Sequence, residues 1–481
     1  MGTPSALCVV GCGYVGLVAA ACFAEMGHRV FCVDNDQARI DLLRSGGVPI
    51  FERDLPELLS RHRNSINFTG DIEEAAEASD VVFIAVGTPQ DPTGGVDLSY
   101  VETAISGLSR TLTRYKVIVE KSTVPVRTST RIRRLLERHR VDPACFDIAS
   151  NPEFLREGSA VIDFLHPDRI IVGAESQRAA EVLARVYEPL TSGRYYEQPG
   201  ALRGPRSAAC APPLLQTSPE SAEIIKHASN SFLALKISFI NAVSTLAEAV
   251  GADIEEISKG MGMDSRIGPR FLRAGLGYGG SCFPKDVAAF QADSAQSGVG
   301  FRLLDDICNI NDYQKKVFVD KVAGALWTLR GKRLAVLGLA YKGGTDDIRK
   351  SPSIEVVQRL LSEGAVIVAY DPAAMEKTQT VLPVSDNLSY AHNLYDAASG
   401  ADAALILTDW EEFKSIDLDR LAQVLRYPIV IDGRNLYSAA TMVEHGFTYI
   451  SMGRPDASPQ HLRKSCLAAE PSPEASLSEV L

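Results

Sequence analysis

The chain has 481 residues, 46% apolar and 23% charged, with a formal net charge of -11. At roughly 100–200 residues per domain this bounds the chain to two to four globular domains with a sizeable core. The acidic balance argues against a nucleic-acid or anionic-membrane surface as partner, while leaving room for a local Arg or Lys cluster on a phosphorylated small ligand.

At the N-terminus a basic segment, apolar run and cleavage site in signal-peptide order are missing, so a cytoplasmic enzyme is the default expectation. Residues 6–10 (ALCVV) read as a short buried strand, followed by a Gly-rich turn and a helix to about Met26. Residues 29–33 (RVFCV) form a second strand that ends at Asp34. Between the two strands lies Gly11-Cys12-Gly13-Tyr14-Val15-Gly16, a G-x-G-x-x-G at a strand-to-helix turn. Gly11 permits the tight turn, Gly13 lets a pyrophosphate approach the backbone, and Gly16 permits close helix packing. Asp34 follows about 20 residues on, where a carboxylate accepts from ribose hydroxyls and repels a 2′-phosphate, which favours NAD over NADP.

Apolar runs at 81–86, 117–119, 147–149 and 169–173 alternate with helical or polar stretches, the pattern of a parallel sheet covered by helices. Two polar clusters follow predicted strands: 120–125 (EKSTVP), with Lys121, Ser122 and Thr123, and 151–157 (NPEFLRE), with Glu153 and Glu157. Ligands bind at such strand ends in doubly wound sheets. Residues 191–216 are rich in Gly, Pro and Arg without a period, and read as an extended surface loop.

From Ser218 to about Gly260 the pattern is helical, with Ser218 as N-cap and Pro219 in the first turn. A helix this long commonly links two domains or packs against a second copy. Lys226, His227, Lys236 and Asn241 argue against a membrane span. Lys226 and Asn230 are one turn apart and share a face. Residues 275–286 (GLGYGGSCFPKD) place Cys282 just before a helix whose first turn holds Pro284. A helix N-terminus and the nearby Lys285 both favour a thiolate, so Cys282 is a candidate nucleophile; the alternative is a buried structural cysteine. The nine cysteines include no C-x-x-C pair and no Cys/His cluster, so no metal site is expected. Strands at 333–338, 366–370, 403–407 and 429–431 begin a second, smaller doubly wound domain, and the Pro-, Ser- and Ala-rich residues from about Gly453 read as a disordered tail.

Together GCGYVGL, VEKSTVP, NPEFLREGSA, DFLHPDRIIVG, EIIKHASNSFLA, RIGPRFLRAGLGYGGSCFPKDV and GLAYKGGTDDIRKSPS resemble the UDP-glucose/GDP-mannose dehydrogenase family over roughly 11–435. The cysteine block is most similar to the UDP-glucose branch. The resemblance implies an α/β fold of two Rossmann-like doubly wound domains joined by a long central helix that also forms a homodimer or larger homo-oligomer. The implied division is an NAD-binding domain over 1–212, a central helical and dimerisation region over 213–316, a UDP-sugar-binding domain over 317–452 and the tail over 453–481.

The implied activity is the NAD-dependent, four-electron oxidation of a nucleotide sugar to its uronate, a step of polysaccharide biosynthesis, through a thiohemiacetal and a thioester on Cys282. Lys226, Asp286 and Asn230 would assist, and Thr123 and Glu153 would hold the water. By the same resemblance Gly11, Gly13, Tyr14, Val15, Gly16, Asp34, Arg39, Thr88, Ser122, Thr123, Glu157, Lys285 and Arg349 would bind NAD. Glu153, Phe154, Leu155, Arg156, Glu157, Lys226, Asn230, Phe271, Leu272, Arg273, Ala274, Gly275, Tyr278, Gly279, Tyr341, Lys342 and Arg434 would hold the UDP-sugar, with Arg266 reaching a neighbouring subunit's site. GDP-mannose as substrate and a non-catalytic NAD-sensing protein remain the rival readings. Three departures from the family pattern stand out. Arg127 replaces a usual Gly, Arg53-Asp54 replaces a usual Pro-Gly, and 191–212 looks like an insertion.

Overall fold

The first strand shows why the sheet is buried on both faces. In β1 (Ala6–Val10) Leu7 and Val9 enter one apolar core while Cys8 and Val10 enter another, as the period-2 geometry of a strand requires. The computed structural model describes residues 4–91 and 94–459. The remaining strands of this sheet are β2 (Arg29–Val33), β3 (Ile66–Thr69), β4 (Val81–Ile84), β5 (Lys116–Glu120), β6 (Phe146–Ser150), β7 (Ile170–Ala174) and β8 (Leu214–Thr217). Their order is β3-β2-β1-β4-β5-β6-β7-β8, parallel throughout except where β7 meets β6 antiparallel. The register pairs Val9 with Cys32 on one side and Phe83 on the other.

A second sheet contains β9 (Arg333–Leu337), β10 (Val366–Tyr370), β11 (Leu388–Tyr390), β12 (Ala403–Ile406), β13 (Ile429–Asp432) and β14 (Thr448–Ser451). Its order is β11-β10-β9-β12-β13-β14, all parallel. In β9 Leu334 and Val336 face one core and Ala335 and Leu337 the other. Both sheets therefore reverse direction beside their first strand, the topological switch point at which doubly wound folds bind ligands.

The chain separates into two compact units. One runs to Phe232 and takes in Lys285–Asp305; the other holds Leu233–Pro284 and resumes at Asp306. The first division falls inside the central helix, Pro219–Val250, whose start is capped by Ser218 Oγ accepting from the Ser221 N–H at 3.2 Å. Gly251, at φ 75, ends that helix, and Asp253 caps a separate helix over Ile254–Gly262. The helical pattern to about residue 260 is thus two helices, because a left-handed Gly interrupts it.

The 191–212 stretch is not an open loop. Short 3₁₀ turns form at Arg194–Glu197 and Ala208–Cys210, Tyr195 is fully buried, and Tyr195 and Tyr196 pack against His166. His166 Nε2 donates to Leu202 O at 2.8 Å, and Arg206 pairs with Asp168 at 2.8 Å. At the far end, Ala457 exchanges backbone hydrogen bonds with Tyr449, so the first residues of the expected tail fold back onto β14. Residues 460–481 lie outside the described residues.

Candidate active site

The glycine turn has the shape a dinucleotide needs. Gly11 sits at φ +107, and a Cβ there would fall 2.5 Å from Ala85 O; a Cβ on Gly16 would fall 1.8 Å from Gly11 O. The protein's own backbone therefore requires these two glycines. Gly13 has nothing within 4 Å of its Cβ position, so the middle glycine faces open space at the start of the helix Tyr14–Glu25. Tyr14 donates to Glu52, whose oxygens also accept from Gly158 N at 2.7 Å and Ala160 N at 2.8 Å. Glu52 thereby ties the glycine turn to the NPEFLREGSA segment, and Val15 packs against the core beneath it. Asp34 accepts from Cys12 N at 2.8 Å and Arg39 Nη1 at 3.0 Å. The open Gly13 cradle and the Asp34 carboxylate fit a bound NAD.

The polar clusters after β5 and β6 converge on one face of the central helix. Lys226 Nζ donates to Glu153 Oε1 at 2.8 Å, and the other Glu153 oxygen accepts from Leu155 N at 2.6 Å. Both Lys226 and Glu153 are buried. Lys226 lies 5.5 Å and Arg169 4.0 Å from the centre of the Phe154 ring. Arg156 turns outward onto Asp163, and Glu157 is buried. One turn beyond Lys226, Asn230 Nδ2 donates to Asp286 Oδ2 at 2.5 Å. Thr88 donates to Thr123 O at 2.9 Å and lies 3.3 Å from Lys285 Nζ, and Ser122 donates to Val86 O at 2.9 Å. Lys121 donates to Asn151 Oδ1 at 3.0 Å, and burial pushes its pKa down to about 8.

In the second unit the cysteine loop is fixed residue by residue. Asn241 Oδ1 accepts from Gly275 N at 2.9 Å, and Asn311 accepts from Tyr278 N at 2.8 Å and donates to Tyr278 O at 3.1 Å. Gly277 and Gly280 take left-handed φ values. A Cβ on Gly279 would fall 2.2 Å from Lys350 O, and one on Gly280 would meet the Tyr341 ring at 2.8 Å. Arg434 donates to three carbonyls: Leu407 O at 2.8 Å, Tyr341 O at 2.9 Å and Gly277 O at 3.2 Å. Cys282 is partly exposed, with Ser281 Oγ at 3.6 Å, and the helix Phe283–Gln296 begins directly after it.

Leu272 and Ala274 are buried, Phe271 sits at φ 66, and Arg273 Nη2 donates to Asn435 O at 3.3 Å. Lys342 lies over the Tyr341 ring at 5.5 Å. Arg349 forks onto Asp347 and Arg266 onto Asp264. Glu223 and Asn311 have no place in the sequence reading, and His227 and Asn241 enter it only as polar residues against a membrane span, not as site residues; Glu223 and His227 carry a sequence signal all the same. With Lys226 and Asn230, Glu223 and His227 repeat at i, i+3, i+4, i+7.

Family models for the UDP-glucose/GDP-mannose dehydrogenase family match in three parts: the NAD-binding domain over 5–191, the central domain over 220–313 and the UDP-binding domain over 335–439. The chain is 44% identical over 455 residues to a UDP-glucose 6-dehydrogenase of Rhizobium meliloti, covering 93% of this chain and 99% of that protein. It is 40% identical over 451 residues to UDP-glucose 6-dehydrogenase TuaD of Bacillus subtilis, covering 93% of each. A solved UDP-glucose dehydrogenase from Pyrobaculum islandicum superposes with a TM-score of 0.83 at 38% identity, covering 94% of this chain and 98% of that one. A UDP-D-ManNAc dehydrogenase from Pyrococcus horikoshii gives 0.78 at 28% identity, covering 93% and 99%.

Proposed function

We propose that this protein, which belongs to the UDP-glucose/GDP-mannose dehydrogenase family and is an NAD-dependent dehydrogenase, oxidises the C6 alcohol of UDP-glucose to the carboxylate of UDP-glucuronate. The observation that carries the choice of sugar is the similarity of 40% and 44% across 93% of the chain to relatives named for UDP-glucose. NAD, when bound, accepts hydride, and two molecules per sugar account for the four electrons.

The chain's own residues supply the rest. Gly11, Gly13 and the helix start at Tyr14 would cradle the pyrophosphate, with Asp34 on the ribose. Cys282 as thiolate would add to the C6 aldehyde, forming the C–S bond of a thiohemiacetal, so that a reactive aldehyde is held and not released. After the second oxidation C6 is a thioester. Water then forms the new C–O bond, the C–S bond breaks and the thiolate leaves. Lys226, a buried cation, would stabilise the oxyanions, a kind of donor worth about 3–4 kcal/mol in a transition state. Glu153, already the partner of Lys226, and Thr123 would orient the water, and Asp286, held by Asn230, would take its proton. On the central helix Phe232, Phe239 and Leu246 are exposed at seven-residue spacing, an apolar row that supports a homodimeric assembly.

Stoichiometry tests the reading. Purified protein with excess NAD should yield two NADH per UDP-glucose, and Cys282→Ala should abolish uronate formation. One NADH per sugar, or full turnover by Cys282→Ala, would refute the covalent route. Activity on GDP-mannose but not UDP-glucose would keep the family and overturn the substrate.

A further inference from the structure

Glu223, Lys226, His227 and Asn230 lie on one face of the central helix, and all four are buried. Lys226 and Asn230 reach Glu153 and Asp286. The other two reach a different place, the turn Ser122–Ser129 that follows β5. Glu223 Oε2 accepts from Arg127 N at 2.6 Å, and Oε1 accepts from Ser129 N at 3.1 Å and Ser129 Oγ at 2.8 Å. His227 Nε2 lies 2.7 Å from Val124 O. A carbonyl only accepts, so that nitrogen carries the proton. The ring stacks on Phe290 at 6.0 Å, and Nδ1 is buried without a hydrogen-bond partner. Two further groups complete the clamp: Asp293 accepts from Val126 N at 3.0 Å, and Thr88 donates to Thr123 O at 2.9 Å.

The turn needs outside support. Arg127 is held at φ 70, a left-handed conformation that is sterically unfavourable for a residue with a side chain. We infer that Glu223 and His227 are positioning residues: through the backbone of the Ser122–Ser129 turn they fix Thr123 in register with Lys226, because one rigid helical face carries Glu223, His227 and Lys226 together. The inference rests on the activity proposed above, in which Thr123 orients the hydrolytic water. Its consequence is selective. Formation of the C–S bond does not use that water; only the final step, in which water forms the C–O bond and the thiolate leaves, depends on it. Loosening the turn should therefore slow deacylation more than acylation.

The full-length protein, mixed rapidly with UDP-glucose and saturating NAD, separates the two. His227→Phe keeps the ring on Phe290 and removes the donor. It should still release NADH in a first-turnover burst, then settle to a steady rate about tenfold below wild type. Acid-quenched protein should carry the mass of a UDP-glucuronyl group. His227→Gln, which can present an N–H to Val124 O, should recover most of the steady rate. Glu223→Gln, with its charge removed but an oxygen kept, should show the same burst pattern in milder form. Wild-type kinetics in both His227→Phe and Glu223→Gln would overturn the positioning role, as would parallel losses of burst and steady rate with no acyl mass. Should His227→Phe fail to fold, an unchanged Glu223→Gln alone would overturn it. No NADH from the wild type would overturn the activity reading and this inference with it.

Discussion

Glu120, the last residue of β5, has no exposed surface. One oxygen accepts from Ser122 N at 2.8 Å; the other is buried with no hydrogen-bond partner. Burial pushes its pKa up to about 8, and nearby Glu223 adds to the rise. The unfolded value is about 4.3, so between the two the folded state binds the extra proton. The stability this group contributes is fully present below the unfolded value and is lost as pH rises to about 8. Glu120→Gln cannot ionise and keeps an acceptor for Ser122. Its advantage over wild type in unfolding free energy should therefore widen by up to about 1.4 kcal/mol per pH unit across that window, then stay level. Urea titrations at a series of pH values read this directly, and a gap that does not change with pH would refute it. At this scale the sequence shows residue types but not burial. VEKSTVP reads as a polar strand end, yet Glu120 and Lys121 are enclosed because β6 delivers Asn151 and the central helix delivers Glu223 beside them. Cys282 was more legible, since Phe283, Pro284 and the glycines before it announce a helix start locally.

Turns show how a departure from a familiar pattern can be read. Both positions where a usual Gly is replaced, Asp54 and Arg127, take left-handed φ values of 65 and 70. The irregularity was visible in sequence; the compensation at Arg127, a Glu223 carboxylate 96 residues away accepting its N–H, was not. Replacing Arg127 by Gly would relieve about 1–2 kcal/mol of steric cost but add unfolded-chain entropy of about 0.5–1 kcal/mol. Arg127→Gly should thus be neutral or stabilising by up to about 1.5 kcal/mol. Arg127→Val, β-branched in the same conformation, should lose about 1–2 kcal/mol. Thermal unfolding orders the three, and a Val variant as stable as the Gly variant would refute the argument. The 191–212 stretch was illegible for a related reason. Its composition suits an open loop, but its packing partner, His166, belongs to an earlier segment, and a Cβ on Gly204 would fall 2.5 Å from that ring.

Across the whole chain, both sheets were legible because short β-branched runs alternating with helices admit few topologies. The proposed association between copies rests on a different signal, an apolar face that a single chain leaves exposed. On the central helix Phe232, Phe239 and Leu246 are exposed at seven-residue spacing, with Ile224 and Val250 exposed near either end. Seven residues is close to two turns, so these side chains form a row. The helix is long and apolar enough to span a bilayer. Yet Glu223, Lys226, His227 and Asn230 fill its buried face with polar groups committed to other segments, an arrangement that serves a folded enzyme and not a lipid-facing span. A row of large apolar side chains on a rigid helix suits a second copy of itself, since a two-fold axis sets the same patch against its equivalent. Wild-type protein at micromolar concentration should therefore sediment as a dimer. The double variant Phe239→Asp, Leu246→Asp places two carboxylates where they must lose their water, at several kcal/mol each, and should sediment as a monomer with unchanged circular dichroism. A variant that stays dimeric would move the interface off this helix face, and a monomeric wild type would leave the apolar row without the partner argued for it.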